Sequence, residues 1–299
     1  MVLGQFKIIS NMEYRYDIQG LRALAVLLVF IFHINPIILS GGFIGVDIFF
    51  VISGYLVSNI ILNKIEKNKF NFIDFYKSRV KRIVPIFYLM LLVVGLVGSI
   101  IYLSGDIAGL RKNVIWAVLF NSNNYLAGLD NYFGASSLEN PLLHTWSLSI
   151  EMQFYLVLPV FLIFIKRKYL LTVTIVVAFI LFLYSYLNST YLNNKGIMYF
   201  SLLARMPEFL IGVIFGRVGL MLNSKSLNSL LINVISCFSF IGLVVLGFIF
   251  NEGLNFPGLL VIIPCLLTGF LLISQGSLIN KFLSKRLFVH IGELSYSIY

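Results

Sequence analysis

Residues 17–55 read DIQGLRALAVLLVFIFHINPIILSGGFIGVDIFFVISGY, two apolar stretches joined by a Ser-Gly-Gly turn. The segment is apolar enough to sit in lipid, yet it carries Arg22, His33 and Asp47. An ionisable group in a membrane helix is costly unless it faces protein or water, so each of the three requires a partner and marks a candidate functional site. This constrains the fold more than any other feature: helices must bring charge to charge inside a bilayer.

Composition agrees with a membrane setting. The 299 residues are 59% hydrophobic and 11% charged, with a mean hydropathy of +0.95, outside the range of soluble domains. A span needs about 20 apolar residues. Spans are expected at about 20–38, 43–62, 85–103 (opened by Pro85), 144–165, 169–187, 197–216, 229–250 and 257–275, with a ninth beginning near Leu287. The predicted fold class is therefore all-α, a polytopic helical membrane protein with about nine to ten transmembrane helices, forming one domain over 1–299. The chain stops at Tyr299, inside its last span, so it is expected to be truncated there. The first span contains a histidine and leads straight into the second, and it reads as an uncleaved anchor.

The net charge is +10, but the basic residues cluster between apolar runs. That pattern sets topology and argues against nucleic acid as a partner. A cytoplasmic N-terminus places 18 of the 22 Lys and Arg on the inner side, seven of them in 63–84. Arg111, Lys112 and Lys195 fall outside, and Arg205 lies within the membrane. If 107–127 crossed the bilayer, every later cluster would invert. Residues 104–143 are therefore expected to form a re-entrant or interfacial piece on the outer face, buried in protein or lining a wet cavity. Gly212 and Gly216 form a G-x-x-x-G suited to helix packing. Cys237 and Cys265 lie in apolar segments and read as packing residues, not as a disulfide or metal ligands.

The intramembrane polar residues fall on shared helix faces. His33 lies eleven residues after Arg22, three helical turns, which puts both on one face roughly 16 Å apart. Asp47 is about a turn below the outer end of the second span, with Ser53 deeper. His144 opens the fourth span and Glu151 follows on the same face. Arg205 lies in the sixth span, with Glu208 one turn on. Blander readings stand beside the functional one. Asp47 and Arg205 would serve as a structural ion pair, Arg205 and Glu208 as an i,i+3 pair, Arg22 as a snorkelling flank, and His144 as an interfacial anchor beside Trp146. A histidine near carboxylates is what general-base chemistry needs. A proton-coupled transporter or flippase uses the same groups, and hydropathy does not separate the two classes.

The motifs do. YRYDIQGLRALAVLLVFIFH at 14–33, GGFIGVDIFFVISGYL at 41–56, FYKSRVKRIVP at 75–85, PLLHTWSLSIEMQFYL at 141–156, ARMPEFLIGVIFG at 204–216 and IGELSYSIY at 291–299 together resemble the acyltransferase-3 family of bacterial membrane O-acyltransferases, in the family's order. The resemblance implies a multi-pass protein of the bacterial cytoplasmic (inner) membrane. Its implied activity is to move an acyl group, by default acetyl, from cytoplasmic acyl-CoA to a hydroxyl of an extracytoplasmic glycan (O-antigen, peptidoglycan, capsule or exopolysaccharide). Acyl-CoA serves as co-substrate, and no cofactor is tightly bound. The first two pieces look most like two-part members, in which an extracytoplasmic SGNH esterase-like domain follows the membrane domain. Such a domain, C-terminal or separate, is an implied partner beside membrane lipid.

The resemblance also implies roles. The family's Arg and His eleven residues apart match Arg22 and His33, with His33 the catalytic histidine. The D-x-F-F-x-x-S-G-Y motif matches Asp47 through Tyr55 and includes Ser53. The cytoplasmic R-x-x-R matches Arg79 and Arg82, which with Lys77 and Lys81 are expected to meet the phosphates of acyl-CoA. H-x-W-S-L-x-x-E matches His144, Trp146, Ser147 and Glu151, and R-x-x-E-F matches Arg205, Glu208 and Phe209. On this reading His33 is a general base or covalent acyl carrier, oriented by Glu151 or Asp47, and Arg205 and Arg22 stabilise the developing negative charge.

Overall fold

In this computed structural model the described residues are 14–103, 105–129, 132, 140–192, 194–222, 228–251, 253–254 and 256–298, with side chains through Ser295. Helices α1 (Tyr16–Ile34), α2 (Gly45–Glu66), α3 (Phe72–Ile101), α4 (Ile107–Val118) and α5 (Ser122–Ala127) are followed by α6 (Thr145–Phe164), α7 (Leu170–Thr190), α8 (Lys195–Phe200) and α9 (Leu202–Met221). Helices α10 (Ser229–Ile249), α11 (Ile262–Ile273), α12 (Leu278–Leu283) and α13 (Arg286–Ile298) follow, and the described residues contain no strand. Among the described residues, six helices are long and apolar enough to span a membrane: α1, α2 with the preceding turn Gly42–Ile44, α3, α6, α7 and α10. Helix α9 has 20 residues but carries Arg205, Glu208 and Arg217, and Leu259–Ile273 is a shorter apolar helix. The chain is an all-α, multi-pass membrane protein.

Helix α2 is the centre of the bundle. Its apolar window is 78% buried, against 22% for α3 and α10, because α1, α6, α9 and α11 all pack on it. The crossing with α9 is possible only because two residues lack side chains. A Cβ on Gly54 would lie 2.0 Å from the Phe209 carbonyl oxygen, and one on Gly212 would lie 2.1 Å from that of Val51. Helices without a hydrophobic drive to associate in lipid gain their packing from such close approach. Gly212→Val is therefore expected to destabilise the bundle by about 1–3 kcal/mol or more, the cost of overpacking, seen as a lower melting temperature in detergent. Gly95→Ala on α3, where nothing lies within 4 Å of the added Cβ, is the neutral control.

The basic clusters share one face. Arg167, beyond α6, pairs with Glu66 at the end of α2. Asn280 on α12 donates to Asp17 at 2.8 Å, and Asp17 is also held by Arg15. The Tyr14 hydroxyl donates to Glu293 at 3.0 Å. Partial burial and that carboxylate push the Tyr14 phenol up to about 12, so it remains a donor across the neutral range. This agrees with the topology expected from charge.

Two boundaries differ from expectation. Helix α3 does not open at Pro85 but at Phe72, with Pro85 inside it. The side chain of Asn71 caps the first turn by accepting from the amides of Ile73 and Asp74, and Pro85 removes only one backbone bond. Arg79 and Arg82 thereby become neighbours one helical turn apart. The expected sixth span is broken at Ser201, whose hydroxyl caps α9, leaving α8 as a separate turn. Helix α4, with 12 residues, is about 18 Å long, too short for a bilayer core of about 30 Å. This fits a piece that does not cross. Cys237 and Cys265 are both free thiols, one exposed and one buried.

Candidate active site

His33 sits in the last turn of α1, at the end opposite the basic face. Its Nδ1 lies 2.7 Å from the Val29 carbonyl oxygen and its Nε2 lies 3.2 Å from the Tyr132 hydroxyl. A carbonyl oxygen only accepts, so Nδ1 carries the hydrogen and the neutral ring presents its Nε2 lone pair to Tyr132. The His144 ring, just before α6, meets that of His33 edge to face, with centroids 4.5 Å apart. Tyr132 is stacked on Tyr199 at 4.3 Å and meets Trp146 edge-on at 5.9 Å.

The expectation that Asp47 or Glu151 orients the imidazole is not met: a backbone carbonyl and a phenol hold it. Asp47 is fully buried and accepts from Arg205 Nη1 at 2.9 Å, while Glu208 accepts from the same nitrogen at 2.7 Å. The ion-pair reading of these residues is correct in geometry. Arg205 Nε donates to the Tyr199 carbonyl at 3.0 Å, and its guanidinium lies over the rings of Tyr199, Trp146 and Phe256 at 4.4–5.3 Å. This aromatic box seals the cluster, so Arg205, Glu208 and Trp146 stand behind the site, away from any open space. The acids had to be placed there because a lone arginine at this depth has no other counter-charge.

Glu151 is half-buried on another wall. It accepts close hydrogen bonds from the hydroxyls of Ser53 and Tyr155. Arg79 lies over the Tyr155 ring at 5.3 Å and the Phe75 ring at 5.4 Å.

A cavity of about 410 Å³ runs between α2, α3 and α6. One end holds Arg22, Arg79 and Arg82; the other holds His144 and Pro141. A polar rail connects them, formed by Ser147, Glu151 and Tyr155 on one face of α6 with Ser53 opposite, while Phe49 and Leu56 of α2 and Ile86 and Met90 of α3 make apolar walls. From His144 to Tyr155 the rail is about 16 Å long. None of the three arginines is in an ion pair among the described residues, and the buried Arg79 Nε has no hydrogen-bond partner there. Unneutralised guanidinium groups gathered at one cavity mouth form a site for a polyanion. Lys77 and Lys81 are exposed on α3 and do not line the cavity.

Of the residues singled out from sequence, the cavity unites Arg22, Ser53, Arg79, Arg82, His144, Ser147 and Glu151. His33 lies off its wall, behind His144. Tyr132, Tyr155 and Tyr199 were not anticipated. Tyr155 had a signal, being one turn beyond Glu151. Tyr132, in a polar segment without periodicity, had none.

A helical membrane bundle with a cationic cavity mouth at one end and a histidine pair at the other is suited to act on an anionic substrate within the bilayer. The chain belongs to the acyltransferase family: the family model described as "Acyltransferase domain" matches residues 15–299. It is 36% identical over 236 residues to an uncharacterized protein of Haemophilus influenzae, covering 76% of this chain and 96% of that one. It is 31% identical over 308 residues to the O-acetyltransferase OatA of Staphylococcus aureus, covering 96% of this chain. The chain spans only 50% of the length of OatA. No solved structure matches.

Proposed function

We propose that the protein is an O-acyltransferase of the bacterial inner membrane. It would take an acyl group, acetyl by preference, from cytosolic acyl-CoA and pass it to a hydroxyl of an extracytoplasmic glycan such as O-antigen, peptidoglycan, capsule or exopolysaccharide. The observation that carries this reading is the trio of unpaired arginines at the basic end of a cavity that leads to two histidines. The CoA moiety is polyanionic, and bidentate guanidinium groups suit its phosphates. The relative named O-acetyltransferase OatA supports acetyl as the group transferred.

In the reaction, His33 Nε2 accepts the proton of the acceptor hydroxyl as its oxygen attacks the acyl carbon. Over the whole reaction the carbon–oxygen bond to the acceptor forms, the carbon–sulfur bond of the thioester breaks, and CoA leaves as the thiol. Arg22, about 16 Å from His33 along α1, joins Arg79 and Arg82 in holding the phosphates of the donor. Glu151 holds Ser53 and Tyr155 in place along the donor's path and does not act on the imidazole.

Removing Arg79 and Arg82 tests the donor end. Each charge-assisted hydrogen bond contributes about 1.5–3 kcal/mol, so Arg79→Ala and Arg82→Ala are each expected to raise KM for acetyl-CoA at least about tenfold. An unchanged KM in the double variant would exclude this end as the CoA site.

A further inference from the structure

We propose that His144, rather than His33, takes the acyl group from the donor, so that the two histidines divide the reaction into a donor half and an acceptor half. This rests on the acyl-transfer reading above and adds a covalent intermediate on a residue that the reading leaves without a role.

Four observations carry it. His144 lines the cavity that leads from the arginines, whereas His33 does not. The rail of Ser147, Glu151 and Tyr155, at three, seven and eleven residues from His144 on one face of α6, leads up to His144, whose backbone carbonyl accepts from the Ser147 hydroxyl at 3.1 Å. Both nitrogens of His33 are already committed, Nδ1 to the Val29 carbonyl and Nε2 to the Tyr132 hydroxyl. To attack a thioester in the cavity His33 would have to abandon that hydroxyl and turn. To act as a base it needs only to exchange the Tyr132 hydroxyl for that of an acceptor. Finally, the two rings touch, with centroids 4.5 Å apart. An acyl group on His144 is then within reach of a hydroxyl held at His33.

The steps balance. A ring nitrogen of His144 attacks the thioester carbon, the nitrogen–carbon bond forms, and the carbon–sulfur bond breaks. The CoA thiolate takes the proton from the other ring nitrogen, leaving an N-acyl imidazole and free CoA thiol. The acceptor hydroxyl then gives its proton to His33 Nε2 and attacks the acyl carbon. The carbon–oxygen bond forms, the nitrogen–carbon bond breaks, and His33 returns the proton to His144.

The test is isotope exchange without an acceptor. Full-length protein in proteoliposomes is given acetyl-CoA and labelled CoA, and label entering acetyl-CoA is followed. Acetyl transfer to glycan is measured in parallel. Wild type is expected to exchange. His33→Ala should lose glycan transfer but keep exchange, and His144→Gln should lose both while still binding acetyl-CoA. If His144→Gln also loses donor binding, His144→Cys decides: recovered exchange supports the assignment and absent exchange overturns it. Exchange at the wild-type rate in His144→Gln would overturn it too. So would a wild type that acetylates glycan without any exchange, which leaves the acyltransferase reading intact. A wild type that does neither sinks both.

Discussion

Replacing His33 by alanine is expected to lower acylation of the surface glycan by about a thousandfold, the scale of a positioned general base, without lowering the amount of protein in the membrane. The imidazole is held by one backbone carbonyl and one phenol, and it is half-buried at a helix end. Removing it therefore leaves no buried charge unpaired and no helix crossing altered. The Tyr132 hydroxyl loses an acceptor, which costs at most about 1–3 kcal/mol at a site near the outer face. His33→Gln should also be inactive, since an amide does not accept a proton at neutral pH. Measuring glycan-bound acetyl in cells carrying each variant at matched protein level checks this. Normal acylation in either variant would remove His33 from the chemistry.

The second large effect falls on folding. Arg205→Met should cost about 3–5 kcal/mol, the penalty for breaking a buried ion pair, because Asp47 and Glu208 then face each other with no counter-charge. The aromatic box of Trp146, Tyr199 and Phe256 also loses the cation it encloses. Stacking carries the disturbance from Tyr199 to Tyr132, so residual activity should fall with the melting temperature. The triple change Arg205→Met, Asp47→Leu, Glu208→Met removes all three charges together. Buried charge clusters replaced by apolar groups are often neutral in stability, so the triple variant should be more stable than the single one. Thermal unfolding in detergent separates the cases. A single variant as stable as wild type would show that the cluster does not hold α2 to α9.

Much of this architecture was legible because a bilayer requires long apolar runs, and α1, α2, α6, α7 and α10 follow theirs to within a few residues. Charge balance identified the shared basic face and kept 107–127 from being read as a crossing. Pro85 misled, since a proline inside a helix costs one hydrogen bond and does not force an end; the cap at Asn71 was the better signal. In the site, spacing put His144 and Glu151 on one face and paired Arg205 with Glu208. It offered Asp47 both to Arg205, as an ion pair, and to His33, and did not decide between them. Helix periodicity fixes which face a residue occupies but not which neighbour that face meets. The partners of His33 were beyond sequence for the same reason: one is a backbone carbonyl, and the other lies in a segment with no repeating pattern.

The central claim is that an acyl group enters from the basic face and leaves at the histidine end. The most direct test uses proteoliposomes of the full-length protein in one orientation, with radiolabelled acetyl-CoA on the basic side only and glycan on the other. The account predicts CoA release on the basic side, matched by label on the glycan opposite, and loss of that label in His33→Ala. Movement of a solute across the membrane with no CoA release would contradict it and make the protein a transporter.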